Sequence, residues 1–166
     1  DPAEHRLEQE AQVRALYEAI QASGHELLLE VIPPKDRTQA DTVYRSLKQF
    51  YNLGIKPEWW KLESMTAAQW RLIDEVIAEH DPYCRGVLLL GMEASENELE
   101  RGFAAAARHP VCKGFAVGRS IFMEAARLWF ANKLSDQEVI SRVEKNYASL
   151  VAAWRKARQA CKESVS

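Results

Sequence analysis

The chain has 166 residues, 47% hydrophobic and 28% charged, with a net charge of -2, the balance of an ordinary globular domain large enough to bury a core. That charge argues against a nucleic-acid binder, which needs a basic face, and no apolar run approaches the roughly 20 residues that span a bilayer. Cys84, Cys112 and Cys161 lie far apart and form no CxxC, so neither a disulfide framework nor a zinc site is signalled and a reducing cytoplasmic compartment is expected.

Residues 3–23 place Leu7, Ala11, Leu16 and Ile20 along one helical stripe, and Gly24 stops the helix. This opening is polar and helix-like, unlike a secretory signal. It begins at Asp1, without Met and already inside a helical pattern, which reads as a piece of something longer. Glu26–Ile32 (ELLLEVI) is the first apolar run. Residues 37–53 follow, with Ala40, Val43, Tyr44, Leu47 and Phe50 at helical spacing and Gly54 at the end. Glu58–Glu63 (EWWKLE) is the second run, then a Thr66/Gln69 capping box ahead of Trp70, Ile73 and Ile77. Gly86–Gly91 (GVLLLG) precedes a Ser95/Glu98 box with Leu99, Phe103 and Ala106 behind it. Lys113–Gly118 (KGFAVG) precedes a helix over residues 120–133. A Ser135/Glu138 box opens a long last helix carrying Val139, Val143, Tyr147, Leu150 and Trp154.

Four short apolar runs, each followed by a helix, suit parallel strands buried on both faces. Connections are short and nothing divides residues 1–166, so a single α/β domain is expected. The choice lies between an open doubly wound sheet and a barrel. No G-x-G-x-x-G follows any strand, which lowers the dinucleotide-binding reading. A (βα)8 barrel needs eight units and about 250 residues, so four units make half of one.

Two charged residues sit where strands should be apolar. Leu28, Glu30 and Ile32 share one face by strand alternation. In a barrel such a carboxylate points inward near the C-terminal mouth, where active sites lie; otherwise it is a structural ion pair or a strand end turned to solvent. Lys61 shares a face with Trp59 and Glu63, opposite Trp60 and Leu62. Burying lysine is costly and favours the neutral amine, the form that attacks a carbonyl. The other reading is an edge-strand lysine that blocks unwanted pairing. Gly118-Arg119 joins the last strand to a helix, a geometry that suits a phosphate at a helix N-terminus with a bidentate arginine, or simply a tight turn and a solvated arginine. Gly91 and Ser95, at the mouth of the preceding strand, could line the same site. His5, His25, His80 and His109 show no metal-ligand spacing and read as surface or turn residues. Trp59 and Trp60 read as packing residues, with sugar stacking by Trp59 as an alternative, and Asp36 and Asp41 as a helix cap and a solvated helix face.

LLLEVIPP, WWKLES, GVLLLGMEAS and KGFAVGRSIF, in that order, resemble strands 5 to 8 of the tagatose-bisphosphate aldolase group of class I aldolases. The closest resemblance is to the aldolase-like C-terminal domain fused to 5-dehydro-2-deoxygluconokinase in bacterial myo-inositol breakdown. It covers nearly the whole chain and implies the C-terminal half (strands 5–8) of a TIM (βα)8 barrel. It implies that Lys61 forms the Schiff base, with Glu63 two residues on, that Glu30 is the strand-5 glutamate, and that Gly118 and Arg119 hold a substrate phosphate. At the mouth of the third run this chain reads GMEAS where that group carries a serine-alanine-glycine run. The group's first-strand acidic residues have no counterpart here.

The activity so implied is a lyase, cleavage of a phosphorylated keto-sugar without metal or cofactor, because an iminium ion serves as the electron sink. 5-Dehydro-2-deoxygluconate 6-phosphate is the first candidate, with tagatose bisphosphate or a sulfo-sugar phosphate behind it. The alternative is a non-catalytic sugar-phosphate-binding or scaffold domain attached to a carbohydrate kinase. Half a barrel is expected to be incomplete alone, and either to pair with a second copy or to be completed by an N-terminal half-barrel or kinase-linked segment.

Overall fold

The computed structural model describes residues 2–34, 39–91 and 95–163. Helices and strands alternate as α1 (Pro2–Ser23), β1 (Leu28–Val31), α2 (Thr42–Asn52), β2 (Trp59–Leu62), α3 (Ala67–His80), β3 (Gly86–Leu90), α4 (Glu96–Ala106), β4 (Cys112–Ala116), α5 (Arg119–Phe130) and α6 (Asp136–Glu163). The four strands form one parallel sheet in the order β1-β2-β3-β4. A doubly wound sheet reverses its strand order at a switch point; this one does not. Successive right-handed crossovers in one direction put the helices on one face of the sheet. The architecture is a mixed α/β fold compatible with half of an α/β barrel. No helix among the described residues is long and apolar enough to cross a membrane.

Burial follows the alternation. On the helix-covered face Trp60, Leu62, Val87, Leu89 and Cys112 are fully buried, together with Leu47, Trp70, Ile73 and Phe103 from α2, α3 and α4. Each large apolar side chain so removed from water contributes about 1.5–3 kcal/mol. Trp60 Nε1 donates to Tyr51 Oη at 2.8 Å, so this fully buried indole also satisfies its one polar atom. The other face carries Leu28, Glu30, Trp59, Lys61 and Leu88, none of them buried.

Sequence signals account for most boundaries. The Thr66/Gln69 and Ser95/Glu98 boxes are formed in both directions, and Ser135 and Glu138 exchange the same bonds ahead of α6. Gly54 ends α2 with φ +78, a backbone region open to glycine. The structure adds three things that the sequence alone does not show. α1 has no single apolar stripe, since Leu7 and Leu16 lie nine residues, about two and a half turns, apart and so on opposite sides of the helix; no described residue of this helix is buried, and Leu7 and Leu16 are 60% and 50% exposed. β4 is not a uniform strand, because the register slips at Val87/Leu88, pairing Val87 with Cys112 but Leu88 with Gly114. The extra residue, Lys113, turns outward, and Gly114 and Ala116 thereby come onto the same face as Leu88 and Leu90. His109 sits in the turn after α4, as expected, but it is not at the surface: it is 7% exposed, hydrogen-bonded through Nδ1 to Asp74 and stacked on Trp70. Asp41 precedes α2 without a side-chain cap bond, and Asp36 lies outside the described residues.

Candidate active site at the strand ends

Glu30 and Lys61 are register partners on β1 and β2. Parallel neighbours in register carry their side chains on the same face, which brings Lys61 Nζ to 3.1 Å from Glu30 Oε1. The lysine side chain is 23% exposed and the carboxylate 39%. β2 pairs on one side with β1 and on the other with β3. Lys61 is therefore interior to the sheet and does not guard an edge. Its other register neighbour is Leu88, which leaves Glu30 as the one charged group on the two strands flanking it at that level. At hydrogen-bond distance the carboxylate stands where a general base beside a lysine amine is needed.

These two residues line a cavity of about 100 Å³ together with Ile32, Leu90, Gly91, Ala116, Val117, Gly118, Arg119 and Ser120. The strand ends on one side and the start of α5 on the other thus converge on one space. Small residues keep it open. Ala116 opposes Leu90 across the β3–β4 ladder, and a Cβ on Gly91 would meet Val117 Cγ1 at 2.8 Å, too close for any side chain unless Val117 shifts. Gly118 is the N-cap of α5 and offers no side-chain cap bond, and Arg119 and Ser120 form the first helical turn.

Of the seven residues singled out by sequence, five meet here: Glu30, Lys61, Gly91, Gly118 and Arg119. Glu63 lines a neighbouring cleft of about 330 Å³ with Ser64, Glu98 and Arg101, joined to the first through Leu90 and Gly91. Ser95 is occupied as the N-cap of α4, its Oγ donating to Glu98 at 2.6 Å, and it borders a third cleft against α5 and α6. Trp59 Nε1 donates to Glu26 Oε2 at 3.0 Å, and Glu26 also pairs with Arg85. That bond ties the indole to the far end of the strands from the cavity, in keeping with packing. Ile32, Ala116, Val117 and Ser120 were not singled out by sequence; their signal was only adjacency to Glu30 and to the Gly118 turn.

Nucleophilic alternatives outside the cavity are subdued. Burial pushes the Cys84 and Cys112 thiols up to about 11, the reverse of an activated cysteine. Among the described residues no group of three or more His, Cys, Asp or Glu side chains is arranged to hold a metal ion.

Residues 1–158 match the family described as "Uncharacterized protein conserved in bacteria (DUF2090)", and the chain belongs to that family. A comparison with curated proteins finds no match.

Proposed function

We propose that this chain carries the Schiff-base half of a class I aldolase site acting on a phosphorylated keto-sugar. The observation that carries the reading is the Lys61–Glu30 pair at 3.1 Å, in the same cavity as Gly118 and Arg119. An amine, a base and an arginine at a helix start are the parts that aldol chemistry on a phosphorylated ketone requires.

The preferred substrate is 5-dehydro-2-deoxygluconate 6-phosphate, on the sequence resemblance. Lys61 passes a proton to Glu30 and attacks the C5 ketone; Glu30 returns that proton to the carbinolamine hydroxyl, which leaves as water, so an iminium ion remains and Glu30 is a carboxylate again. A carboxylate, Glu30 directly or through water, then takes the C3 hydroxyl proton. The C3–C4 bond breaks, C3 leaves as the aldehyde of malonate semialdehyde, and the bonding pair moves into an enamine between C4 and C5. Protonation at C4 and hydrolysis of the iminium release dihydroxyacetone phosphate and restore the amine. Arg119 and the Gly118 turn would hold the phosphate and fix the carbonyl over Lys61.

A non-catalytic sugar-phosphate module is the second reading, favoured by the fact that Lys61 and Glu30 already satisfy each other as an ion pair. Borohydride reduction in the presence of dihydroxyacetone phosphate separates the two. The aldolase reading expects a covalent adduct on Lys61, seen by peptide mass mapping; a protein that binds the phosphate but yields no adduct on any lysine is the scaffold.

A further inference from the structure

One register level beyond Lys61, the β4 wall of the cavity is a single methyl group. Lys61 is level with Leu88, and Leu88 with Gly114. Two residues further along both strands, Leu90 is level with Ala116. Ala116 therefore stands on the cavity face between the level of Lys61 and the Gly118 turn, and it lines the cavity with both.

The slip at Lys113 is what puts an alanine there. Unbroken pairing onward from Val87 and Cys112 would set Leu88 against Lys113 and Leu90 against Phe115, and the phenyl ring would stand in the cavity. With the slip, Phe115 turns to the helix-covered face, its ring centroid 5.0 Å from that of Phe103 and 6.5 Å from that of Tyr147. The slip is seated at its own level. Lys113 Nζ donates to the Pro110 carbonyl at 2.7 Å. The Lys113 stem lies where Gly86 has no side chain, its Cγ 2.5 Å from the position that a Cβ would take.

With the cavity read as an aldolase site, a reading on which this inference rests, the arm joining the ketone at Lys61 to the phosphate at Gly118 crosses that methyl. We propose that Ala116 is a specificity-determining residue. It leaves the width that a phosphorylated ketone needs. A branched side chain there would extend into a space of about 100 Å³, excluding the phosphorylated ketone while leaving Lys61 open to smaller carbonyl compounds. Ala116 is itself half-buried and faces away from the helix-covered core, so enlarging it displaces no core side chain.

Borohydride trapping in the complete protein, with dihydroxyacetone phosphate and with acetone, tests it. The unaltered protein should give an adduct on Lys61 with each ketone. Ala116→Leu should lower the dihydroxyacetone phosphate adduct at least about tenfold, the low end of what overpacking costs, and leave the acetone adduct within about twofold. Ala116→Val, a smaller enlargement that suits a strand, should show the same split more weakly, and it carries the test if the leucine variant does not fold. An undiminished dihydroxyacetone phosphate adduct in the variants would overturn this inference and leave the aldolase reading standing. Parallel loss of both adducts would also overturn it, since that is the result of a packing role for Ala116. No adduct with either ketone in the unaltered protein would remove the aldolase reading, and this inference with it.

Discussion

Lys61 and Glu30 face each other at 3.1 Å because they occupy the same register level of adjacent parallel strands. Backbone pairing places both side chains on one face at one level, so the register itself brings the pair together. Lys61→Met in a complete protein should abolish both the borohydride adduct and turnover. Glu30→Gln keeps the amine but removes its proton acceptor, so the adduct should form more slowly and turnover should fall by about 10²–10⁴-fold, the range of a lost general base. An adduct on Lys113, which donates to the Pro110 carbonyl away from the cavity, would show that the wrong amine had been chosen.

Arg119 should matter for affinity. Arg119→Ala is expected to weaken binding of the phosphorylated ketone by about 1.5–3 kcal/mol, roughly 10- to 150-fold, as for one hydrogen bond to a charged group. Substrate analogues lacking the phosphate should lose nothing further. Equal affinities of wild type and variant would move the phosphate elsewhere.

Tyr51→Phe is a stability test that leaves the site untouched. It strands Trp60 Nε1 in a core where Trp60 has no solvent exposure, and an unsatisfied buried donor costs about 1–3 kcal/mol. Urea unfolding should register that loss with an unchanged slope. A loss under about 0.5 kcal/mol would mean that the indole finds another acceptor.

The buried thiols give a pH dependence. Burial raises Cys84 and Cys112 from an ordinary 9.0 to about 11, so folding favours their protonated forms. Below pH 9 both folded and unfolded chains hold these protons, and the stabilisation is fully present. Between 9 and about 11 the unfolded chain ionises first, and stability is lost as pH rises. Cys84→Ala should flatten that alkaline decline. An identical pH slope in wild type and variant would rule the thiol out as its source.

β1 and β4 are both edges of the sheet, and Leu28 and Ile32 beside the first edge are 42% and 54% exposed. Unpaired strand edges with apolar flanks promote association. Sedimentation should therefore give a mass above that of one chain, with aldol cleavage slow until a second half-barrel is supplied. A monomer with full activity would sink the half-barrel reading.

The strands were legible because each alternates a short apolar run with a capped helix, and Thr66, Ser95 and Ser135 marked three helix starts directly. What alternation cannot give is a partner. Leu7 with Ala11 and Leu16 with Ile20 each hold helical spacing, but the two pairs stand on opposite sides of α1, and nothing described buries Leu7 or Leu16. Glu30 and Lys61 were each readable as a polar residue on an inner face; their pairing required the register. Glu63 shares the parity of Lys61, but it lies just past the end of β2 and lines the next cleft. The slip at Lys113 left no local signature, since CKGFA carries the composition of an unbroken strand.

The tetrapeptide Trp59-Trp60-Lys61-Leu62 has a consequence for how such a protein can change over time. Its even-numbered letters answer to the core and its odd-numbered letters to the opposite surface, although all four lie within a single short strand. Selection for a new carbonyl substrate can therefore work on one parity while selection for thermal tolerance works on the other, with little interference between them. A library varying Leu28, Glu30, Trp59, Lys61 and Leu88 would explore chemistry at nearly constant melting temperature. The same diversity placed at Trp60, Leu62, Val87 and Leu89 would mostly sample unfolded chains.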